Sequence, residues 1–196
     1  FGSGSGTFIN YLSSKSKLDV LEHEPSMINI INQNNKKNVK NLYKNIFEKN
    51  NEKYDLIVSF DTIEHLQDHN EFINYCNKRL KKNGKILITV PAFNFLWSYH
   101  DEVCHHYRRY SKKDLVNLFS DFKILKFGYF NFFLFPIVFI KRYLLNFFKI
   151  NENTHTKSPF LNLLLYYIFS IEKYIVPFNI FPFGVSIFMI VEKKND

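Results

Sequence analysis

The chain has 196 residues, 46% hydrophobic, 18% aromatic and 22% charged, with 26 Lys and Arg against 18 Asp and Glu. That length holds one domain with a sizeable core, the hydrophobic share excludes a disordered chain, and six Gly with six Pro exclude collagen-like composition. Cys76 and Cys104 form no CxxC pair, which excludes a disulfide framework or zinc finger and fits a reducing, cytoplasmic compartment.

The net charge of +8 directs attention to anionic partners. Many lysines, however, lie beside asparagines in polar runs (residues 33–40 and 78–85) and read as solvated faces. The basic residues are dispersed and base-flipping signatures are absent, so nucleic acid is not an expected partner.

The chain opens on a glycine-rich turn, Gly2-Ser3-Gly4-Ser5-Gly6-Thr7, and residues 7–14 read as a helix leaving it. Residues 17–24 (KLDVLEHE) read as a strand, and residues 26–34 as a helix with Met27, Ile30 and Ile31 on one face. Residues 54–60 (YDLIVSF) form a short apolar strand. A helix over 71–82 ends at Asn83-Gly84, and a buried strand over 85–90 (KILITV) stops at Pro91. Residues 114–119 are helical again. Strands alternating with helices predict an α/β fold, a doubly wound sheet with parallel strands.

After Lys126 the composition changes: more than half of the chain's aromatic residues fall between Phe127 and Phe188. Residues 127–140 and 158–171 carry no charge, yet each run is shorter than the ~18–20 residues that span a bilayer. Residues 174–191 are interrupted by Pro177, Asn179, Pro182 and Gly184, which predicts a loop followed by a final strand over 185–192. The expected organisation is a core over 1–126. An aromatic-rich cap over 127–196 covers the sheet or dips into a membrane interface, and carries the closing strand.

Glycines in the opening turn let the backbone bend sharply and approach a ligand, while N–H groups at the helix start favour electron-rich groups. The spacing is GxGxG. The third glycine of the dinucleotide fingerprint GxGxxG is missing, with Thr7 or Ile9 in its place, which weighs against an NAD-dependent oxidoreductase as the alternative. Glu24, before Pro25, ends the second strand, where a carboxylate accepts two hydrogen bonds from a ribose diol. Glu22 competes for that role, because strand alternation puts both on one face.

Four segments, in order, resemble the class I S-adenosylmethionine-dependent methyltransferases. GSGSGT resembles the family's GxGxG motif, and VLEHEPSMI its second strand with the ribose-binding acid. YDLIVSFDTIEHLQD resembles the fourth strand and following loop, and LKKNGKILITVP the approach to strand five. PAFNFLWSYHDEVCHHYRRYSKKDL is similar to a bacterial, type 11/12-like subgroup with a W-S-x-H-D-E…H-x-R-R-Y block and a hydrophobic tail. PFGVSIFMIVEKK resembles its closing strand. The resemblance implies a Rossmann-like sheet with an antiparallel last strand. It also implies S-adenosylmethionine held by Gly2, Ser3, Gly4, Gly6, Glu24, Asn45 and Asp61, with Asn45 beside the adenine. The family's first strand would precede Phe1, so the resemblance implies a native chain longer by a strand and a helix, roughly 30–50 residues.

The implied reaction is in-line displacement at a sulfonium methyl, where alignment and water exclusion dominate. A base is required only when the acceptor is a hydroxyl or an acidic carbon, so O- or C-methylation of a small-molecule or lipid-linked acceptor is expected. Asp61 lines the pocket or caps the turn from Thr62. His65 is a base candidate or a structural histidine, and His100 and Asp101 are catalytic candidates that orient or deprotonate the acceptor. His106, Arg108 and Arg109 would meet an anionic group on it; alternatively Arg108 and Tyr110 lock the loop to the helix near Ser111. The spacing of His100, Asp101, Glu102, His105 and His106 matches no common ligand pattern, so no metal is expected. Lys141-Arg142 within an apolar stretch suits peripheral contact with the inner membrane face. A non-catalytic membrane-associated module is the remaining alternative.

Overall fold

A computed structural model describes residues 1–34, 36–45, 51–148 and 159–194. The start of the uncharged run at Ser158 lies outside the described residues.

Two sheets carry the fold. β1 (Asp19–Leu21) and β2 (Asn41–Tyr43) form a parallel pair. β3 (Tyr54–Phe60), β4 (Leu80–Pro91), β5 (Phe122–Phe130) and β6 (Ser186–Lys193) form a second sheet in the order β3-β4-β6-β5. β3 and β4 are parallel, whereas β6 runs antiparallel to both its neighbours, as expected for the closing strand. The helices are α1 (Ile9–Ser13), α2 (Pro25–Asn34), α3 (Asn70–Arg79), α4 (Tyr99–Val103), α5 (Lys112–Leu118), α6 (Phe135–Phe148) and α7 (Pro159–Ile175). This is an α/β Rossmann-like architecture.

The register of β4 against β6 explains the core. Ile86, Ile88 and Val90 lie opposite Val191, Met189 and Ile187, and all six are almost fully buried. Period-two alternation puts these apolar residues on one face. Onto them pack Phe72, Ile73 and Cys76 of α3, Leu115 of α5, and Phe119 just beyond it. A smaller cluster joins Ile9, Val20 and Ile31. On α2 the buried positions are Ile28 and Ile31, so the apolar face is rotated from the expected Met27, Ile30 and Ile31.

Residues 1 and 2 lie between the sheets. The Phe1 amino group donates to the Val58 carbonyl at 2.8 Å, and the Gly2 N–H donates to the Leu21 carbonyl at 2.9 Å. The glycine turn is thereby fastened to the carboxyl ends of both β1 and β3.

Two boundaries along the larger sheet differ from the sequence reading. α3 stops at Arg79 because Leu80 already pairs with Tyr54, and Asn83 sits at φ 60° within the bend of β4. The compositional change after Lys126 falls in the middle of β5, so the aromatic segment begins inside the sheet. Among the described residues no helix is long and apolar enough to cross a membrane.

Candidate active site

Gly2, Gly4 and Gly6 have φ of 65°, 54° and 84°, a left-handed backbone that L side chains rarely adopt. At Gly2 a Cβ would lie 2.1 Å from Thr62 Cγ2, so the turn packs directly on the segment after β3. At Gly4 a Cβ would meet nothing within 4 Å: here the backbone faces open space. A cavity of about 360 Å³ is lined by this turn together with residues of β1 and β3 and Asp61.

Glu22 and Glu24 separate in the structure, although alternation paired them. β1 ends at Leu21, so strand geometry does not extend to either acid. Glu22 is 4% exposed and accepts hydrogen bonds from the N–H groups of Gly4 (2.7 Å), His23 (2.9 Å) and Glu24 (3.0 Å). Glu24 is exposed at the start of α2, where its Oε1 accepts from Ser26 Oγ at 3.2 Å. Asn45 is exposed just past β2. The backbone cradle at Gly4, the unpartnered buried hydroxyl of Ser3 and the strand-end acids are the donor and acceptor set that an adenosyl amino acid cofactor requires. S-adenosylmethionine therefore fits the residues present; when bound it supplies an electrophilic methyl on sulfonium.

Asp61 follows β3 in a left-handed conformation (φ 45°), and its N–H donates to the Thr89 carbonyl at 3.0 Å. This fixes it at the carboxyl end of the sheet, beside the glycine turn. Burial raises the Asp61 pKa, against the opposing pull of Thr89 and His106.

One turn further on, Glu64 is 0% exposed and neither of its carboxylate oxygens has a hydrogen-bond partner. Burial pushes its pKa up to about 8 against the opposing pull of its own backbone N–H, with Asp61 and Asp101 adding to the shift and Arg109 opposing it. His65, next in sequence, is exposed, and its ring meets that of His106 edge-on at 4.6 Å. Burial and the neighbouring His106 lower the His65 pKa. The loop carrying His106 is held there by the Tyr107 N–H, which donates to the Glu64 carbonyl at 2.9 Å.

Asp101 is the hub of the WSYHDE block. It is 0% exposed, and its carboxylate accepts from the Ser98 N–H (2.9 Å), Arg109 Nε (2.8 Å), His106 Nδ1 (2.9 Å) and Arg142 Nη1 (3.3 Å). Burial raises its pKa, but Arg109, His106 and Arg142 outweigh burial and leave it lowered. The expectation that Asp101 orients or deprotonates an acceptor is corrected here: a fully enclosed carboxylate with every oxygen engaged touches no substrate. It positions His106 instead. His100 lies exposed on α4, its Nε2 3.5 Å from Cys104 Sγ, outside the cluster of Glu64, His65 and His106.

The two arginines do not form the expected fork for an anion. Arg109 is 4% exposed and turns inward to Asp101 and the Ala92 carbonyl. Arg108 turns the other way and donates to the Gln67 carbonyl at 2.6 Å. Backbone alternation sends adjacent side chains to opposite faces. Tyr110 is buried with its hydroxyl 3.0 Å from His69 Nδ1 and 3.3 Å from the Ile63 carbonyl, so it and Arg108 hold the loop to residues 63–69 and not to the helix near Ser111.

Sequence reasoning gave Arg142 to membrane contact and not to the site, yet it reaches Asp101 and the Leu96 carbonyl from α6. Its signal was a basic residue inside an apolar run. Glu22 was named only as a competitor for the ribose, and Glu64 was given no role.

Comparison with known proteins follows this geometry. The family described as "Methyltransferase domain" matches residues 1–123. Among curated proteins no sequence matches. N-methyltransferase NodS from Bradyrhizobium japonicum WM9 is similar in structure, with a TM-score of 0.58 and 11% identity over 99% of this chain and 83% of that one. Phosphoethanolamine N-methyltransferase 2 from Haemonchus contortus, solved with S-adenosyl-L-methionine, has a TM-score of 0.61 and 15% identity, covering 99% of this chain and 47% of that one. TehB from Haemophilus influenzae has a TM-score of 0.57 and 16% identity, over 98% and 56% of the two chains. At these identities the structural likenesses establish the fold, while the family match spans well over half of the sequence. The chain belongs to the methyltransferase domain family and has the class I, Rossmann-like fold.

Proposed function

We propose that the protein transfers the methyl group of S-adenosylmethionine to a hydroxyl of a lipid-linked or small-molecule acceptor. The observation that carries this reading is the cavity lined by the glycine turn and Asp61, with Asp61 close enough to feel the charges of His106 and Glu64. In this reading Gly2, Gly4 and Gly6 bring the backbone against the cofactor, and Ser3 and Asn45 supply polar contacts. Glu24 holds the ribose hydroxyls while Glu22 keeps the glycine turn in place. Asp61 faces the cofactor's amino acid end. His65 and His106 sit where an acceptor hydroxyl loses its proton, and Asp101 sets the tautomer of His106. Water exclusion and alignment supply most of the acceleration.

The preference for a lipid-linked acceptor is supported by α6 and α7. Ile137, Phe139, Ile140, Tyr166, Ile171 and Tyr174 are all exposed, a concentration unusual for a water-facing surface. Lys141 and Lys173 flank them, the pattern of an interfacial helix on an anionic membrane. The motif block 99–110 lies between these helices and the glycine turn in sequence, and Arg142 ties α6 to it.

The test is calorimetry with S-adenosylhomocysteine, followed by transfer of labelled methyl to hydroxylated acceptors with and without a polyprenyl tail. Binding that is lost in Gly4→Arg, with methyl incorporated into ether linkages, is the expected result. Absence of binding at high micromolar ligand defeats the reading. Cosedimentation with vesicles containing anionic lipid tests the membrane contact separately, and failure to sediment rules that contact out.

A further inference from the structure

We infer that Glu64, His65 and His106 form a binding site for one divalent first-row transition-metal cation, with a coordination position left open toward the acceptor. One ligand atom from each residue can be chosen so that all three lie within 4.8 Å of one another. Around a cation bound at ~2.0–2.2 Å such atoms stand roughly 3–4 Å apart, so the site has at most about one to two ångströms to close. Rotation of the exposed His65 ring provides that movement.

Two features point to a cation, and a third holds the cluster in place. First, Glu64 is a fully buried carboxylate with both oxygens unpartnered. Enclosing an unpaired carboxylate is costly, and the cost is relieved by a proton or by a metal. The neighbouring guanidinium groups are already engaged: Arg109 and Arg142 on Asp101, and Arg108 on the Gln67 carbonyl. Second, His106 directs Nδ1 to Asp101 Oδ1 at 2.9 Å, which makes Nδ1 the donor and leaves the lone pair on Nε2. A carboxylate behind a histidine in this way orients metal-binding imidazoles. Third, the cluster is anchored on both sides, by the Tyr107 N–H on the Glu64 carbonyl and by the Asp101 hub.

The donor set selects the metal. Two imidazoles and one carboxylate suit Zn²⁺, Fe²⁺ or Mn²⁺, whereas Mg²⁺ and Ca²⁺ favour oxygen-only shells. Three protein ligands leave room for one acceptor oxygen. A hydroxyl bound there ionises closer to neutral pH: its O–H bond breaks, the proton passes to solvent water, and the oxygen keeps its electron pair for attack on the methyl. That last role rests on the hydroxyl-acceptor reading; cation binding itself does not. His65 is then a ligand, not the free base. The ligand set spans residues 64 to 106, so inspection of the 100–106 cluster alone finds no spacing for a metal.

The experiment uses the full, untagged chain. Zn²⁺ is titrated against a chromophoric chelator and Co²⁺ by its visible absorption, with S-adenosylhomocysteine calorimetry on the same samples. One Zn²⁺ per chain and a Co²⁺ absorption band are expected. Glu64→Gln and His106→Gln lose both signals but still bind S-adenosylhomocysteine, and Asp101→Asn binds Zn²⁺ roughly 10–100-fold more weakly. Should Glu64→Gln fail to fold, His65→Ala at its exposed position carries the same test. No Zn²⁺ uptake by the wild type, or uptake unchanged in these variants, overturns the site. Zn²⁺ uptake without S-adenosylhomocysteine binding upholds the site and defeats the methyltransfer reading.

Discussion

Arg142 of α6 donates from Nη1 to Asp101 Oδ2 at 3.3 Å, joining the aromatic carboxyl-terminal segment to the buried hub of the candidate active site. Asp101 in turn holds His106 and Arg109. Replacement by glutamine, Arg142→Gln, removes one of two guanidinium partners from an enclosed carboxylate that also holds His106. Because Arg109 and His106 remain, the loss is smaller than for an isolated buried pair, about 1–2 kcal/mol. Chemical denaturation should show a lowered midpoint, and limited proteolysis should cut earlier near α6. An unchanged midpoint would mean that the tether contributes nothing.

Gly2 and Gly4 predict different failures. A side chain at Gly2 collides with Thr62, whereas one at Gly4 points into open space. Both pay for a left-handed backbone, about 1–2 kcal/mol for an L residue. Gly2→Ala should therefore lower the melting temperature more than Gly4→Ala. Gly4→Ala should retain the fold and lose S-adenosylhomocysteine affinity by at least about tenfold. Calorimetry alongside thermal melts separates the two.

The two strand-end acids should divide in the same way. Glu22→Gln weakens bonds to the N–H groups of Gly4, His23 and Glu24, and each bond to a charged acceptor is worth roughly 1.5–3 kcal/mol. The effect should appear in stability. Glu24→Gln, at an exposed position, should leave the melting temperature in place and weaken cofactor binding by about tenfold, the equivalent of one charged hydrogen bond. If instead Glu22→Gln alone weakens binding at full stability, the ribose contact belongs to Glu22.

His69 carries a pH signature. Burial, then Arg108, lowers its pKa, while Asp68 and Asp114 oppose; Tyr110 shares its Nδ1 hydrogen bond. With the folded pKa below the unfolded value, the unfolded chain takes up a proton first. The stabilising contribution is thus complete above pH ~6.5 and is lost as pH falls from there through the folded pKa. His69→Gln should flatten that part of the stability–pH curve relative to wild type. Parallel curves would exclude the effect.

Cys76 is 0% exposed and burial raises its thiol far above the usual range, whereas Cys104 is partly exposed on the α4 side. A thiol reagent should label one cysteine per native chain, Cys104, and both after unfolding. Labelling of Cys76 in the native protein would show that α3 opens readily.

The order of strands and helices, the glycine turn and the antiparallel closing strand were legible in the sequence, because period-two apolar runs and glycine spacing are local properties. Ile86, Ile88 and Val90 announce their face without reference to any other segment. The candidate site was only half legible. Asp61 and His65 could be read as candidates just past the 54–60 strand. Which of the residues from His100 to Arg109 would join them could not, since that depends on a backbone bond between Tyr107 and Glu64, distant in sequence. Tertiary structure alone sent Arg109 inward and Arg108 outward, enclosed Asp101, and left Glu64 buried without a partner. The physical reason is that burial and charge pairing are set by which surfaces meet. A sequence specifies the faces; only packing decides what they enclose.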